Sequence, residues 1–144
     1  MMAQNPAYYE YYKSTYMIKT NADGERTGYR LKLDTGEFEP NNRPIPEILG
    51  ATSTSEISSL NEEEFVWTTE EIRGELRGDG PVFALYETID AMYEQKEREG
   101  RKAFTPEERA LIRSIRRRTF RMWEEEAARR AAGEPPTIIV RPKF

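Results

Sequence analysis

The sequence predicts an α+β fold: a small N-terminal β-hairpin sheet, an irregular middle and a C-terminal antiparallel helical hairpin, with extended arms at the ends. Three observations carry this reading. Residues 15–33 alternate apolar and polar side chains around a turn built on Asp23-Gly24, which is the period and turn chemistry of a β-hairpin. Residues 81–99 and 105–132 repeat their apolar positions every three or four residues, the period of an α-helix. The stretch between them, punctuated by prolines and then by Ser and Thr, keeps neither period.

Taken in order, Ala7–Tyr16 holds five of the chain's eight tyrosines. A tyrosine joins a flat apolar body to a polar tip, so Tyr8, Tyr9, Tyr11 and Tyr12 serve either as a half-buried wall of the core or as a contact surface. The hairpin follows, with Tyr29, Leu31 and Leu33 expected on one face. Pro40 to Pro46 breaks regular structure, and Glu47 to Gly50 allows one short turn. Residues 51–64 read as a Ser/Thr-rich connector that turns acidic at Glu62, Glu63 and Glu64. Ser59-x-x-Glu62 and Thr68-x-x-Glu71 both match the capping box, in which a hydroxyl and a carboxylate satisfy each other's nearby backbone N–H groups. The second precedes Ile72 and Leu76 and predicts a short helix over 69–77.

Pro81 opens the clearest helix at its tolerated first position, with Val82, Leu85, Tyr86, Ile89, Met92 and Tyr93 on the apolar face. It ends by Gly100. Thr105-Pro106-Glu107-Glu108 starts the next with a complete capping box. There Leu111, Ile112, Ile115, Thr119, Met122 and Trp123 fall within about 120° of arc, a stripe that faces a core. Leu85, Ile89 and Met92 are expected to pack against Ile112, Ile115 and Met122. Gly133 stops the second helix and Pro135-Pro136 follow. The short connection makes the two helices antiparallel neighbours. The last segment, 137–144, is a β-branched run that either returns to the hairpin as a third strand or adds to a neighbour's sheet edge through Ile138, Ile139 and Val140.

A length of 144 residues suits one domain, divided into a hairpin and arm region (1–50), an acidic connector with a short helix (51–80), the helical hairpin (81–133) and a C-terminal arm (134–144). Hydrophobic residues make up 37% and charged residues 33%, so the core is thin and part of the chain is expected to order against partners. The sequence has no Cys, which excludes disulfides and thiolate zinc sites. It also has no His, which removes the commonest general base and metal ligand near neutral pH. A non-enzymatic protein without cofactor or metal is expected. The N-terminus lacks a basic start followed by an apolar run, and no stretch approaches the roughly 18 apolar residues of a membrane span. These features predict a soluble, unexported protein, cytoplasmic or particle-associated, with no membrane partner.

The residues singled out for function are arginines. Six lie between Arg109 and Arg121 with no acid or lysine among them, and Arg113, Arg117 and Arg121 follow one another at single-turn spacing with Arg109 flanking. Arg suits planar, bidentate contact with carboxylates or phosphates, although Glu107, Glu108 and Glu124 to Glu126 could equally take several of these charges on a solvated face. Residues 56–75 carry seven carboxylates against one Arg, so patches of opposite sign could meet between copies or within one chain. Asp34-Thr35-Gly36 is the triplet of aspartic proteases, but Glu37 and the residues after it break that pattern, and a β-turn is the simpler reading. Gly74, Gly78 and Gly80 fit no nucleotide-binding fingerprint. Trp67 and Trp123 read as core residues, with an interface as the alternative for Trp67. Together these features point to a structural or adaptor subunit of a larger assembly, such as a viral particle. It would contact other protein subunits through Arg109, Arg113, Arg117, Arg121, the four tyrosines and the C-terminal strand. The second candidate is a nucleic-acid-associated factor using the Arg row.

Overall fold

The computed structural model describes residues 6–50 and 56–142. The chain forms two compact units, Met1–Ile72 and Arg73–Phe144. The first is built on β1 (Ala7–Tyr11), β2 (Ser14–Thr20), β3 (Arg26–Leu31), β4 (Phe38–Pro40), α1 (Ile45–Gly50), β5 (Ile57–Leu60) and α2 (Glu62–Arg73), whose last residue opens the second unit. All five strands join one antiparallel sheet in the order β4-β3-β2-β1-β5. The expected hairpin is its centre, β2 against β3, with Tyr16 opposite Arg30 and Ile18 opposite Gly28. Asn21 closes the turn, its side-chain oxygen accepting the N–H groups of Asp23 and Glu25, both at 2.9 Å.

Strand alternation sends side chains to opposite faces, and each face of this sheet finds its own cover. On one side Tyr11, Tyr16, Ile18 and Ile57 pack with Ile48 of α1, and Tyr9 and Ile45 lean on that cluster. On the other, Tyr8 and Phe38 meet Phe65 of α2 at ring-centroid distances of 4.5 and 5.6 Å. The buried hydroxyls of Thr15 and Thr69 bond each other there at 2.8 Å. Gly28 is required because a Cβ at that position would collide with the Tyr16 hydroxyl. The Tyr16 ring crosses this bare strand position to donate its hydroxyl to the carbonyl of Asn41.

Several expectations change here. Ala7–Tyr11, read as either a wall of the core or a contact surface, is a sheet strand in which Tyr9 and Tyr11 fill one face while Tyr8 serves the other. Tyr29 and Leu31 share a face as expected, but β3 ends at Leu31 and Leu33 stands 52% exposed. The helix expected over 69–77 begins instead at Glu62. Asn61 supplies the cap, accepting the Glu64 N–H at 2.7 Å while Glu64 accepts the Asn61 N–H at 2.9 Å. Thr68 therefore lies inside the helix and Ser59 inside β5. The connector over 51–64 contains that strand, and its residues 51–55 lie outside the described residues.

The second unit comprises β6 (Gly78–Asp79), α3 (Pro81–Arg98), α4 (Pro106–Ala131) and β7 (Ile139–Val140). The helical hairpin stands as expected. Thr105 caps α4 with both bonds of the capping box in place, and Glu108, one half of that box, also takes a bidentate pair from Arg101 at 2.8 and 2.9 Å. The core is centred lower than the apolar stripes suggest, on Leu76, Val82, Phe83, Tyr86, Trp123 and Ile138. The Trp123 indole N–H donates to the Tyr86 hydroxyl at 2.8 Å. The Arg73 guanidinium lies over the rings of Trp123 and Phe120 at 4.6 and 5.6 Å.

The C-terminal segment goes to neither expected destination. It folds back on its own unit, where Asp79 pairs with Ile139 and Gly78 with Val140. The reason lies in α4: a buried carboxylate, Glu126, takes the N–H groups of Thr137 and Ile138, and Ile138 drops into the helical core at 2% exposure.

Candidate functional site

The long helix α4 positions the arginine row. Along it the buried residues are Ile112, Arg116, Thr119, Trp123 and Glu126. At 100° per residue this face is rotated by about 40° from the apolar stripe read from sequence. Leu111 is consequently 50% exposed, Ile115 and Met122 lie at the flank, and Arg116 is buried in their stead. The Arg row survives this rotation in part. Arg109, Arg117 and Arg121 are exposed, Arg113 is half-buried at the edge, and Arg118 adds a fourth exposed guanidinium. Arg109, Arg118 and Arg121 make no ion pair among the described residues, whereas Arg113 and Arg117 do have partners. The face is thus a mixed one, presenting planar donors beside the exposed apolar Leu111.

The tyrosine cluster divides. Tyr9 and Tyr11 belong to the sheet core and Tyr8 packs on Phe65, so these three act in packing. Tyr12 is 43% exposed. It sits with Lys13 at positive φ (48° and 66°) in the two-residue turn between β1 and β2, a conformation that side chains other than Gly, Asn and Asp adopt at a cost. Both Tyr11 and Tyr12 donate their hydroxyls to the Glu47 carboxylate, at 2.8 and 2.9 Å. Burial, the hydrogen bond to Glu47 and its charge raise the Tyr11 pKa, and the bond to Glu47 followed by its charge raises that of Tyr12. The pair is a clamp on α1.

Of the C-terminal residues, Ile138 is a core anchor, Val140 is half-buried and Ile139 is 51% exposed. Sequence reasoning missed the groove that receives them, made of Gly78, Gly80 and Glu126. The glycines fit no nucleotide fingerprint and, standing just before the helix that Pro81 opens, give no sign of a close backbone approach, and nothing in the spacing of Glu126 marks it as buried.

The acidic stretch 56–75 is also divided. Glu62, Glu63 and Glu64 are exposed on the first turn of α2, where a helix dipole favours them, while Glu70 is buried at 1% exposure. Asp34-Thr35-Gly36 forms the turn from β3 to β4, closed by Gly36 N–H to the Lys32 carbonyl and Lys32 N–H to the Glu37 carbonyl, both at 2.9 Å. Beside it lies an open pocket of about 220 Å³ lined in part by Arg30, Lys32, Asp34 and Glu39. Among the described residues no group of acidic side chains is placed to hold a metal ion, and no helix is long and apolar enough to cross a membrane. Compared with protein-family models, curated proteins and solved structures, the chain matches none of them.

Proposed function

We propose that this protein is a structural or adaptor subunit of a larger protein assembly, docking on a carboxylate-bearing protein surface through the exposed face of α4. The observation that carries this reading is the set Arg109, Arg117, Arg118 and Arg121, all exposed on a rigid helix that a capping box and a buried core hold in place. Planar guanidinium groups on a rigid element suit bidentate pairing with carboxylates, and Leu111 on the same helix supplies apolar contact. The chain itself carries a fitting surface, the three exposed carboxylates at the start of α2, so copies of the protein are suitable partners for one another. A viral particle or a multiprotein machine would use such a subunit in the same way.

The test is self-association by size-exclusion chromatography with light scattering at low and moderate salt. Replacing Arg109, Arg117 and Arg121 together by Gln is expected to weaken association while leaving helical content unchanged, because exposed charges contribute little to stability. Tight binding of the unaltered chain to DNA or RNA at physiological salt, lost in the triple variant, would replace this reading with a nucleic-acid-associated one. Unchanged association in the triple variant would return the row to an ordinary solvated face.

A further inference from the structure

The second unit seats its own C-terminal segment in a strand-accepting groove, and we propose that this groove also takes the same segment from a second copy of the chain, joining copies by exchanged C-terminal strands. The inference deepens the assembly reading but stands on a different surface from the arginine row, so either can fail alone.

Recognition in the groove is directed mainly at backbone. The buried Glu126 carboxylate accepts the N–H of Thr137 at 3.0 Å and of Ile138 at 3.2 Å. Arg130 donates to the Ile138 carbonyl at 2.8 Å, and the Arg141 N–H reaches the Arg77 carbonyl at 2.9 Å. β6 adds its two-residue ladder. Gly78 and Gly80 make the approach possible, since a Cβ on either would strike the carbonyl oxygen of Ile139 or Thr137. Side-chain selectivity comes from the Thr137 hydroxyl, which donates to Glu126, and from Ile138 in its pocket beside Trp123. This is how an extended peptide is bound by strand addition: main-chain bonds hold it and one buried side chain fixes its register.

None of these contacts depends on the covalent path between donor and groove, so the segment of another copy can satisfy all of them, as in exchange of an element between protomers. Exchange must also free the connection, where Arg129 donates to the Glu134 carboxylate at 2.7 Å and to the Pro135 carbonyl at 2.9 Å. Gly133 turns the chain at φ 79°, and residues 134–136 run exposed to the segment. Two successive prolines favour an extended path of about 3.1 Å per residue, so a released segment projects as a strand. A short tether gives the chain's own segment an effective concentration of the order of mM. Exchange is therefore expected at high protein concentration, the condition inside an assembly.

The chain has no Cys, which permits a clean test. Asp79 and Ile139 face each other across β6 and β7 and are exposed. Opposed antiparallel residues sit about 4.5–5.5 Å apart at Cα, within the span of roughly 4.4–6.8 Å that a disulfide bridges. Full-length Asp79→Cys and Ile139→Cys chains are mixed at high concentration under mild oxidation. Exchange predicts a heterodimer in several-fold excess over either homodimer, and its loss when Ile138→Asp is added to the Ile139→Cys chain. With the two chains mixed in equal amounts, a heterodimer at no more than about twice either homodimer, the ratio of random collision, or one that survives Ile138→Asp, overturns the proposal. The doubly substituted chain, Asp79→Cys with Ile139→Cys, closes within one molecule at low concentration if the register is right, and failure to close also counts against it.

Discussion

At the residue scale, buried polar atoms on α4 decide more than its apolar stripe. The Trp123 indole and the Tyr86 hydroxyl are both buried and bonded to each other. Tyr86→Phe keeps the packing but leaves a buried N–H without that acceptor, and is expected to cost about 1–3 kcal/mol by denaturant unfolding. Ile115→Ala, which the sequence marks as a core truncation, is expected to cost less than Trp123→Ala, for which large-to-small changes suggest about 3–5 kcal/mol, because Ile115 lies at the flank of the buried face. Glu126 adds a pH dependence. Burial raises its pKa, but the Thr137 hydroxyl and the backbone N–H groups of Ile138 and Thr137 outweigh that effect, and the carboxyl titrates below its ordinary value of 4.5. A group with a lowered native pKa adds stability that is complete above the unfolded value and is lost as pH falls through the native one. Amide protection over 137–141, taken relative to the intrinsic exchange rate at each pH, is therefore expected to fall as pH drops below about 4.5, and Glu126→Gln should remove that acidic limb. Helical periodicity could not reveal these residues. A wheel sorts residues by polarity, whereas Arg116 and Glu126 are buried despite theirs.

At the scale of elements, the sequence was most legible where structure is local. The helical hairpin declared itself through Pro81, the Thr105 capping box and Gly133, each acting within a turn of its own position. The capping box is expected to behave as its geometry implies: Thr105→Ala should cost about 0.5–2 kcal/mol, read from thermal unfolding. Glu108 should show in its carboxyl titration the pKa of about 2 set by the Arg101 guanidinium and the Thr105 N–H. Strand β1 was not legible because its tight turn to β2 is Tyr12-Lys13, without the Gly, Asn or Asp that marks a two-residue hairpin, and β5 was not because its partner is remote. Tyr8 opposes Leu60 and Tyr11 opposes Ile57, and a Ser-Ser pair inside β5 hides its strand character. The start of α2 was missed for a competing local signal. Asn61 and Glu64 form the true reciprocal cap, but Ser59 and Thr68 offered the same spacing in a preferred residue type. The destination of the C-terminal strand was equally hidden, because a two-residue ladder on Gly78 and Asp79 has no periodicity to read.

For the whole molecule, the net charge of −4 and the exposed arginines of α4 act in opposite directions on a polyanionic partner, and this sets up the most discriminating measurement. A duplex or single strand bound through several arginines releases counterions, and its log affinity falls with log salt at a slope of roughly −0.7 to −0.9 per phosphate contacted. Bidentate guanidinium–carboxylate pairs between proteins are screened more gently, because part of the association comes from hydrogen bonding and apolar contact. The two partners also differ in acid. Carboxylates on a protein partner are neutralised as pH falls below about 4.5, so association through α4 should weaken from pH 6 towards pH 4. Phosphodiesters stay ionised while the protein loses negative charge, so nucleic-acid binding should strengthen over the same range. Measured by sedimentation with the unaltered chain and the Arg109, Arg117 and Arg121 Gln variant side by side, the expected result is self-association that declines with acid and is weaker in the variant throughout. Circular dichroism at each pH ensures that lost association is not lost fold. Affinity for an oligonucleotide that rises towards pH 4 and vanishes in the variant would assign the arginine face to phosphate.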